Sequence, residues 1–383
     1  MTARIAKCFS AAALWAMALV PTVARADEVP YNIGWVTSLS GPSSGTAGTA
    51  NLAIQVAVER INAGNLAGRK IVLIPADDAS DPKTSAQVCA RLVIEEKVQA
   101  IIGAQPTPSR LACNQAAIKA GLPYIAASGS AGDICLPNMF YVGQVPNQFV
   151  LPLADYLLKQ NLKRIYLFGA DYSAPRAALA MAKKEIETRG GTVVGMSFSP
   201  QDLSDFSADL GKIAAAKPDA VLQSLTGTGI VTFHRQFAND PRVKGIALAD
   251  NFLLESMARA LGKDVDGVYV ASPYYAAIDT QANRAFIDAM RAKFGDKVVP
   301  DYWAVYATNA LGLLAQAVKR AGPDPKAVTA ALAQGRYDGV AGPIAIVHNY
   351  AAQATYIGRA KSDGTIVVSE HLPDVQPQLS CRH

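Results

Sequence analysis

The sequence is poor in the residue types on which metal and cofactor chemistry usually rests. Histidine occurs only 4 times in 383 residues, at His234, His348, His371 and His383. No two stand at i, i+4, and only His383 has a cysteine nearby, at Cys381, so metal-ligand spacing is missing. There is no Walker loop, and Thr226-Gly227-Thr228-Gly229 lacks the third glycine and the downstream acid of a dinucleotide fingerprint. No metal or cofactor is therefore expected. Charged residues make up 17% of the chain and form no Lys/Arg-rich run, so the electrostatic footprint of a nucleic-acid binder is absent. Low-complexity segments and a fixed-period repeat are also missing.

Long apolar runs are scarce as well. One stretch, Phe9 to Val20, is preceded by Arg4 and Lys7 and followed by Ala24-Arg25-Ala26. It falls short of the roughly 20 residues of a spanning helix and has the anatomy of a secretory signal peptide over residues 1–26, with cleavage before Asp27. Its removal takes three basic residues and no acid, lowering the formal charge of +5 by three to +2. A later uncharged stretch, Ile134 to Ala154, is interrupted by Pro137, Pro146 and Pro152. The mature chain is thus expected to be soluble and exported. Of 5 cysteines, Cys8 leaves with the signal; Cys89, Cys113, Cys135 and Cys381 remain. Export permits oxidation, and the three full pairings cannot be separated by sequence; Cys113 with Cys135 is the expected bridge.

What is there is a hydrophobic share of 50%, enough for sizeable cores, in a length worth two to three domains at about 150 residues each. From Asp27 onward strands and amphipathic helices alternate. An apolar run at Ile33 to Val36 is followed by a loop, Ser38 to Gly45, and by a helix from about Thr49 with Ile54, Ala57, Val58 and Ile61 on one face. The alternation continues to Phe140-Tyr141-Val142 and restarts after Pro146, running to a strand at Val268 to Ala271. Helices at Ala282 to Phe294, Trp303 to Ala321 and Pro325 to Ala333 and short late strands complete the chain. The pattern predicts an α/β fold of two similar doubly wound halves with mainly parallel sheets.

Gly41-Pro42-Ser43-Ser44-Gly45 has the letters of a nucleophile elbow, but the loop is expected to run through Thr46, Ala47 and Gly48 before the helix, and a serine hydrolase would need a histidine base. A Gly/Ser-rich turn holding a polar ligand is the better reading, and no enzyme is expected. Asp77-Asp78 with Asp81 reads as a structural loop in which Asp81 caps the helix that Pro82 begins. His234, on a helix, is expected at the surface. More telling are short polar stretches after strands, where open α/β sheets bind ligands. They are Thr46; Gln105-Pro106-Thr107; Ser128-Gly129-Ser130; Asp171-Tyr172; Thr228; and Asp250-Asn251. Each alone is a capping residue; together they describe two polar rims.

Ser40-Gly41-Pro42, Asp77-Asp78-Ala79-Ser80-Asp81-Pro82, Thr226-Gly227-Thr228-Gly229, Gly169-Ala170-Asp171-Tyr172 and Ser272-Pro273-Tyr274-Tyr275 together resemble the periplasmic solute-binding proteins of ABC importers. The branch is that of leucine/isoleucine/valine-binding and amide- or urea-binding members. The resemblance implies a type I periplasmic binding protein: two lobes joined by a three-strand hinge, 27–146 with 278–346 and 147–277 with 347–383. It implies a small polar ligand, an amino acid (branched-chain included) or an amide, held by Thr107, Ser128 and Ser130 on one side and Tyr172, Thr228 and Asp250 on the other, and the polar stretches after strands add Thr46, Gln105 and Asn251 as expected contacts. Asp250 matches the acid that amino-acid binders keep for the ammonium group. The implied partner is a membrane permease, with the binding protein a monomer; a ligand sensor is the alternative. Thr46 and Ala126 depart from the pockets of the two subfamilies, and Ser80 and Pro106 stand where some relatives have a disulfide.

Overall fold

The computed structural model describes residues 29–104, 106–200, 203–226 and 229–381, apart from the side chains at 45–47 and 173. The signal-peptide reading therefore lies outside the described residues. Among these, no helix is long and apolar enough to cross a membrane.

Strands β1 (Tyr31–Thr37), β2 (Ile71–Asp77), β3 (Ala100–Ala104), β4 (Tyr124–Ala126) and β5 (Met139–Tyr141) pair in parallel in the order 2-1-3-4-5. Strands β6 (Arg164–Ala170), β7 (Thr192–Ser199), β8 (Ala220–Ser224), β9 (Ala247–Asp250) and β10 (Tyr269–Ser272) repeat that order, again in parallel. The helices between them are α1 (Ser44–Ala63), α2 (Pro82–Ile94) and α3 (Thr107–Ala120) in the first round. In the second they are α4 (Val150–Lys159), α5 (Ser173–Thr188), α6 (Ser207–Ala216), α7 (Gly229–Asn239) and α8 (Glu255–Leu261). The repetition is thus topological, two doubly wound α/β halves, and each has its switch point beside its first strand, where ligands bind.

The remaining elements are α9 (Gln281–Phe294), α10 (Tyr302–Ala321), α11 (Pro325–Leu332), β11 (Arg336–Gly339), β12 (Gly342–Val347), β13 (Tyr350–Ala360) and β14 (Ile366–Val375). The long strand β13 joins the halves: its first residue, Tyr350, pairs with Tyr141 of β5, and Tyr356 to Arg359 pair antiparallel with β10. The late strands are longer than the sequence suggests because β13 and β14 form a hairpin whose sheet pairing, not hydrophobic alternation, sets their length. Pro373, which has no N–H to donate, stands at a register shift on the edge strand β14.

Both faces of each sheet are covered, as continuous apolar strands require. Tyr31, Ile33 and Trp35 face α1 and α10, while Val36 and Ile101 face α2 and α3. In the second sheet Ile165 and Leu167 face α4 and α5, while Tyr166 and Phe168 face α6 and α7. The last cluster also takes in Ala53 and Val56 of α1 and Ala304 and Val305 of α10, so apolar packing runs across the two halves.

Two expectations are corrected here. Helix α1 begins at Ser44 rather than near Thr49, because Asp77 holds the preceding loop tight: its carboxylate accepts from Leu39 N at 2.9 Å and Ser40 Oγ at 2.6 Å, as Asp78 does from Ser38 Oγ at 2.7 Å. Ser43 has φ −94°, outside the left-handed region of a strained elbow. The bridges are Cys89–Cys113 and Cys135–Cys381, with Cα separations of 5.2 and 5.9 Å, not Cys113–Cys135. Helices α2 and α3 pack side by side and bury Cys89 against Cys113, whereas Cys135 lies in the loop after β4, against which the C-terminal tail runs. Asp81 does cap α2, accepting from Thr84 N at 2.7 Å.

Candidate functional site

The first polar rim lies at the C-terminal ends of β3 and β4. Thr107 opens α3, and Arg110, one turn on, is 1% exposed yet carries a full charge, so its donors must be met nearby. Its Nη2 donates to Thr107 Oγ1 at 2.9 Å, its Nη1 to Ser128 Oγ, and its guanidinium lies 5.1 Å from the Tyr141 ring centre. A hydroxyl that accepts from a guanidinium keeps its own hydrogen for another acceptor. Thr107 and Ser128 thus become donors backed by a positive charge. Ser130 accepts from Gly132 N at 3.2 Å, its Oγ lies 3.4 Å from Tyr350 Oη, and its N–H donates to Gln144 O at 3.4 Å.

The second rim follows β6, β8 and β9. Tyr172, at the N-cap of α5, is 36% exposed, and its hydroxyl lies 3.5 Å from Thr226 Oγ1. Burial pushes this phenol up, against the Thr226 hydrogen bond. Asp171 lies at the surface, where it forms an ion pair with Arg176 at 2.7 Å. Asp250 is fully buried: Oδ1 accepts from Phe252 N at 2.6 Å, and Oδ2 lies 2.7 Å from His234 Nε2. His234 is therefore a core residue and not, as expected, a surface one; it occupies the inward face of α7 beside Phe233 and Phe237. Asn251 donates Nδ2 to Ser224 Oγ at 3.0 Å, while its Oδ1 is buried with no hydrogen-bond partner among the described residues.

Between the rims lies an aromatic surface that the sequence reading missed. Tyr302 and Tyr306 stand at i, i+4 in the first turns of α10, their rings 5.5 Å apart, with Trp303 at 5.5 and 6.1 Å from them. Tyr306 accepts from Gln144 N at 3.1 Å, which ties it to the Ser130 loop. At the other end, burial raises the phenols of Tyr302 and Tyr275 far above their ordinary value, and the nearby charge of Asp250 adds to the effect on both. The chain of neighbours Ser130, Gln144, Tyr306, Tyr302, Asp250 thus connects the rims. The signal available in the sequence was the Asp301-Tyr302-Trp303-x-x-Tyr306 pattern, an N-cap followed by aromatics on one helix face.

Two further carboxyls are buried here. Asp301 caps α10, accepting from Trp303 N at 2.9 Å and Ala304 N at 3.3 Å, and also accepts from Thr49 Oγ1 at 2.5 Å. Burial pushes it up to about 6 despite those donors. Glu255 accepts from Ala276 N at 2.7 Å; burial pushes it up to about 7, Arg259 opposing and Asp301 adding. No group of three or more metal-ligating side chains occurs among the described residues.

Of the expected contacts, Thr107, Ser128 and Ser130 come together on one rim, and Tyr172 and Asn251 stand on the other. Asp250 is turned inward onto His234. Gln105, Thr228 and the side chain of Thr46 lie outside the described residues.

The chain is similar to known binding proteins along most of its length. A Leu/Ile/Val-binding protein homologue of Brucella abortus is 25% identical over 302 residues, 73% of this chain and 74% of the relative. A solute-binding protein of an ABC transporter from Rhodopseudomonas palustris, in complex with 3,4-dihydroxybenzoic acid, superposes with a TM-score of 0.81 at 25% identity, covering 91% of this chain and 98% of its own. The branched-chain amino acid transporter substrate-binding protein of Streptococcus pneumoniae, in complex with isoleucine, has the same fold, with a TM-score of 0.80 at 21% identity over 90% of this chain and all of its own, 100%. The family model for periplasmic binding proteins matches residues 30–365. The chain belongs to the periplasmic binding protein family.

Proposed function

We propose that this protein is the extracytoplasmic solute-binding component of an ABC importer and that it closes on a small carboxylate-bearing solute. Residues 27–146 with 278–346 act as one lobe and 147–277 with 347–383 as the other; the solute is handed to a membrane permease. The observation that carries the ligand reading is Arg110, held between Thr107 and Ser128. A buried cation behind two hydroxyls and the start of α3 favours an anion over a neutral amide or urea. The two structural neighbours are consistent with it, since dihydroxybenzoate and isoleucine share a carboxylate. Ligand contacts to both rims would stabilise the closed state over the open one.

Titration calorimetry against small carboxylates and their amides tests the reading. Micromolar binding of a carboxylate, weakened about tenfold by Ser128→Ala through loss of one hydrogen bond to a charged group, is expected. An amide that binds more tightly than its acid would overturn the carboxylate assignment.

A further inference from the structure

The end of the chain takes a path that solute binding alone does not require. After β14, which pairs with β13 in the second sheet, residues 376–381 turn back to the first half. Asn147, in the connection between β5 and α4, holds this tail at two points: its Nδ2 donates to Gln376 O at 2.8 Å and its Oδ1 accepts from Gln378 N at 2.8 Å. Leu379 then packs against the apolar cluster of the first sheet that includes Tyr124 and Tyr141, and the Ser380 N–H donates to Gly132 O at 2.8 Å. Cys381 ends the path in its bond to Cys135.

The loop on which the tail lands carries the first rim. No helix or strand lies between β4 and β5, so the shape of residues 128–136 depends on its ties to other segments. Gly132 N donates to Ser130 Oγ at 3.2 Å, and Tyr350, whose Oη lies 3.4 Å from Ser130 Oγ, donates to Ile134 O at 2.6 Å. The Tyr350 ring stacks on Tyr141 at 4.4 Å, and Tyr141 is the ring beside the Arg110 guanidinium. The two bridges differ in access. Cys89 and Cys113 are 0% exposed, whereas Cys135 and Cys381 are both partly exposed. Exchange requires a thiolate to reach a bridge sulfur, so access selects which bridge reacts.

We infer that Cys135–Cys381 is a thiol-exchange site, and that its bond straps the tail of the second half to the ligand loop and so holds Ser130 in place. A small dithiol opens it in two displacements. One thiolate attacks a bridge sulfur and releases the other cysteine as a thiolate; the second thiol of the reagent, deprotonated, then displaces the first cysteine. Two electrons pass to the bridge, the dithiol closes to a disulfide, and its two protons end on Cys135 and Cys381. The freed loop keeps only its hydrogen bonds, and ligand affinity drops. That last consequence rests on the carboxylate reading above; the exchange and the ordering of the loop do not.

Brief exposure of the folded, oxidised mature chain to dithiothreitol, followed by iodoacetamide and peptide mass spectrometry, tests the site. Cys135 and Cys381 are expected to be labelled at least ~10-fold faster than Cys89 and Cys113. Hydrogen exchange on the same sample should accelerate at least ~10-fold over residues 130–136 and 376–381, with β1 and β8 unchanged. Asn147→Ala, which loosens the tail with the bridge intact, should speed reduction of Cys135–Cys381 by ~3-fold or more. In calorimetry with isoleucine and with 3,4-dihydroxybenzoate, whichever binds the oxidised chain should bind Cys135→Ser/Cys381→Ser ~10-fold more weakly. Equal labelling of the two bridges, or loop amides that exchange alike before and after reduction, overturns the inference. A serine variant that fails to fold overturns it too, because the bridge would then hold the whole molecule and not one loop, and unchanged affinity in a folded variant removes the hold on Ser130. If neither probe binds the oxidised chain while labelling and exchange behave as expected, the carboxylate reading falls and the strap stands.

Discussion

His234 Nε2 lies 2.7 Å from Asp250 Oδ2, and neither side chain has any exposed surface. The pair fixes the end of β9 to α7, because the same carboxylate also accepts from Phe252 N at 2.6 Å and so shapes the turn that presents Asn251. Replacing His234 by Leu strands a buried carboxylate on a single backbone donor. The expected loss is about 3–5 kcal/mol, the cost of breaking a buried pair from one side. Urea denaturation measures it. A loss under 1 kcal/mol would mean that Asp250 is satisfied from elsewhere.

Glu255 and Asp301 make stability depend on pH in an uncommon direction for carboxyls. Burial lifts Glu255 from an ordinary 4.5 to about 7 and Asp301 from 3.8 to about 6. A carboxyl raised on folding contributes fully below its unfolded value and loses that contribution as pH climbs through the folded one. For Glu255 the span amounts to at most about 3 kcal/mol. Between pH 5 and pH 8 the unfolding free energy should therefore fall, and Glu255→Gln, which retains an acceptor for Ala276 N, should fall less. Parallel pH profiles for the two proteins would refute the assignment.

The alternation of strands and helices was legible because each strand is an apolar run between polar turns, and right-handed crossovers between parallel strands then favour a doubly wound sheet. The placement of Thr107, Ser128 and Ser130 at strand ends was legible for the same reason, since such sheets bind ligands at that end. The partners of charged groups were not. Arg110 and His234 have nothing in their neighbourhood in sequence to show that they bury onto Ser128 and Asp250, 18 and 16 residues away. The disulfides failed similarly, since Cys89 and Cys113 meet only through helix packing, and Cys135 meets Cys381 across a sequence separation of 246.

That separation yields a prediction. Cross-linking lowers the entropy of the unfolded chain by an amount that grows with the logarithm of the loop, about 3.5 kcal/mol for the 24-residue separation and about 5.5 kcal/mol for the 246-residue one. Serine pairs replacing Cys135 and Cys381 should thus cost about 2 kcal/mol more than pairs replacing Cys89 and Cys113. The chain-entropy account would be wrong here if denaturant titrations ranked the variants in the opposite order.

Gly143 links the ligand loop to the connection between the halves. A Cβ on it would meet Ser128 C at 2.3 Å and both Ser128 O and Gly129 N at 2.4 Å, all backbone atoms that cannot swing aside. Its neighbour Gln144 donates its N–H to Tyr306 and, through Nε2, to Thr355 Oγ1 at 2.7 Å on β13, so a displacement here reaches both the aromatic surface and the crossing strand. Gly143→Ala should cost about 1–3 kcal/mol of stability, as overpacking does, and lower ligand affinity at least ~10-fold. Gly245→Ala is the control: φ is +86° with nothing within 4 Å, so it strains the backbone by about 1–2 kcal/mol far from the rims and should leave affinity unchanged. Thermal unfolding and calorimetry on both variants separate the effects. Matching affinity losses would show that binding merely follows global stability, and Gly143 would lose its place in the site.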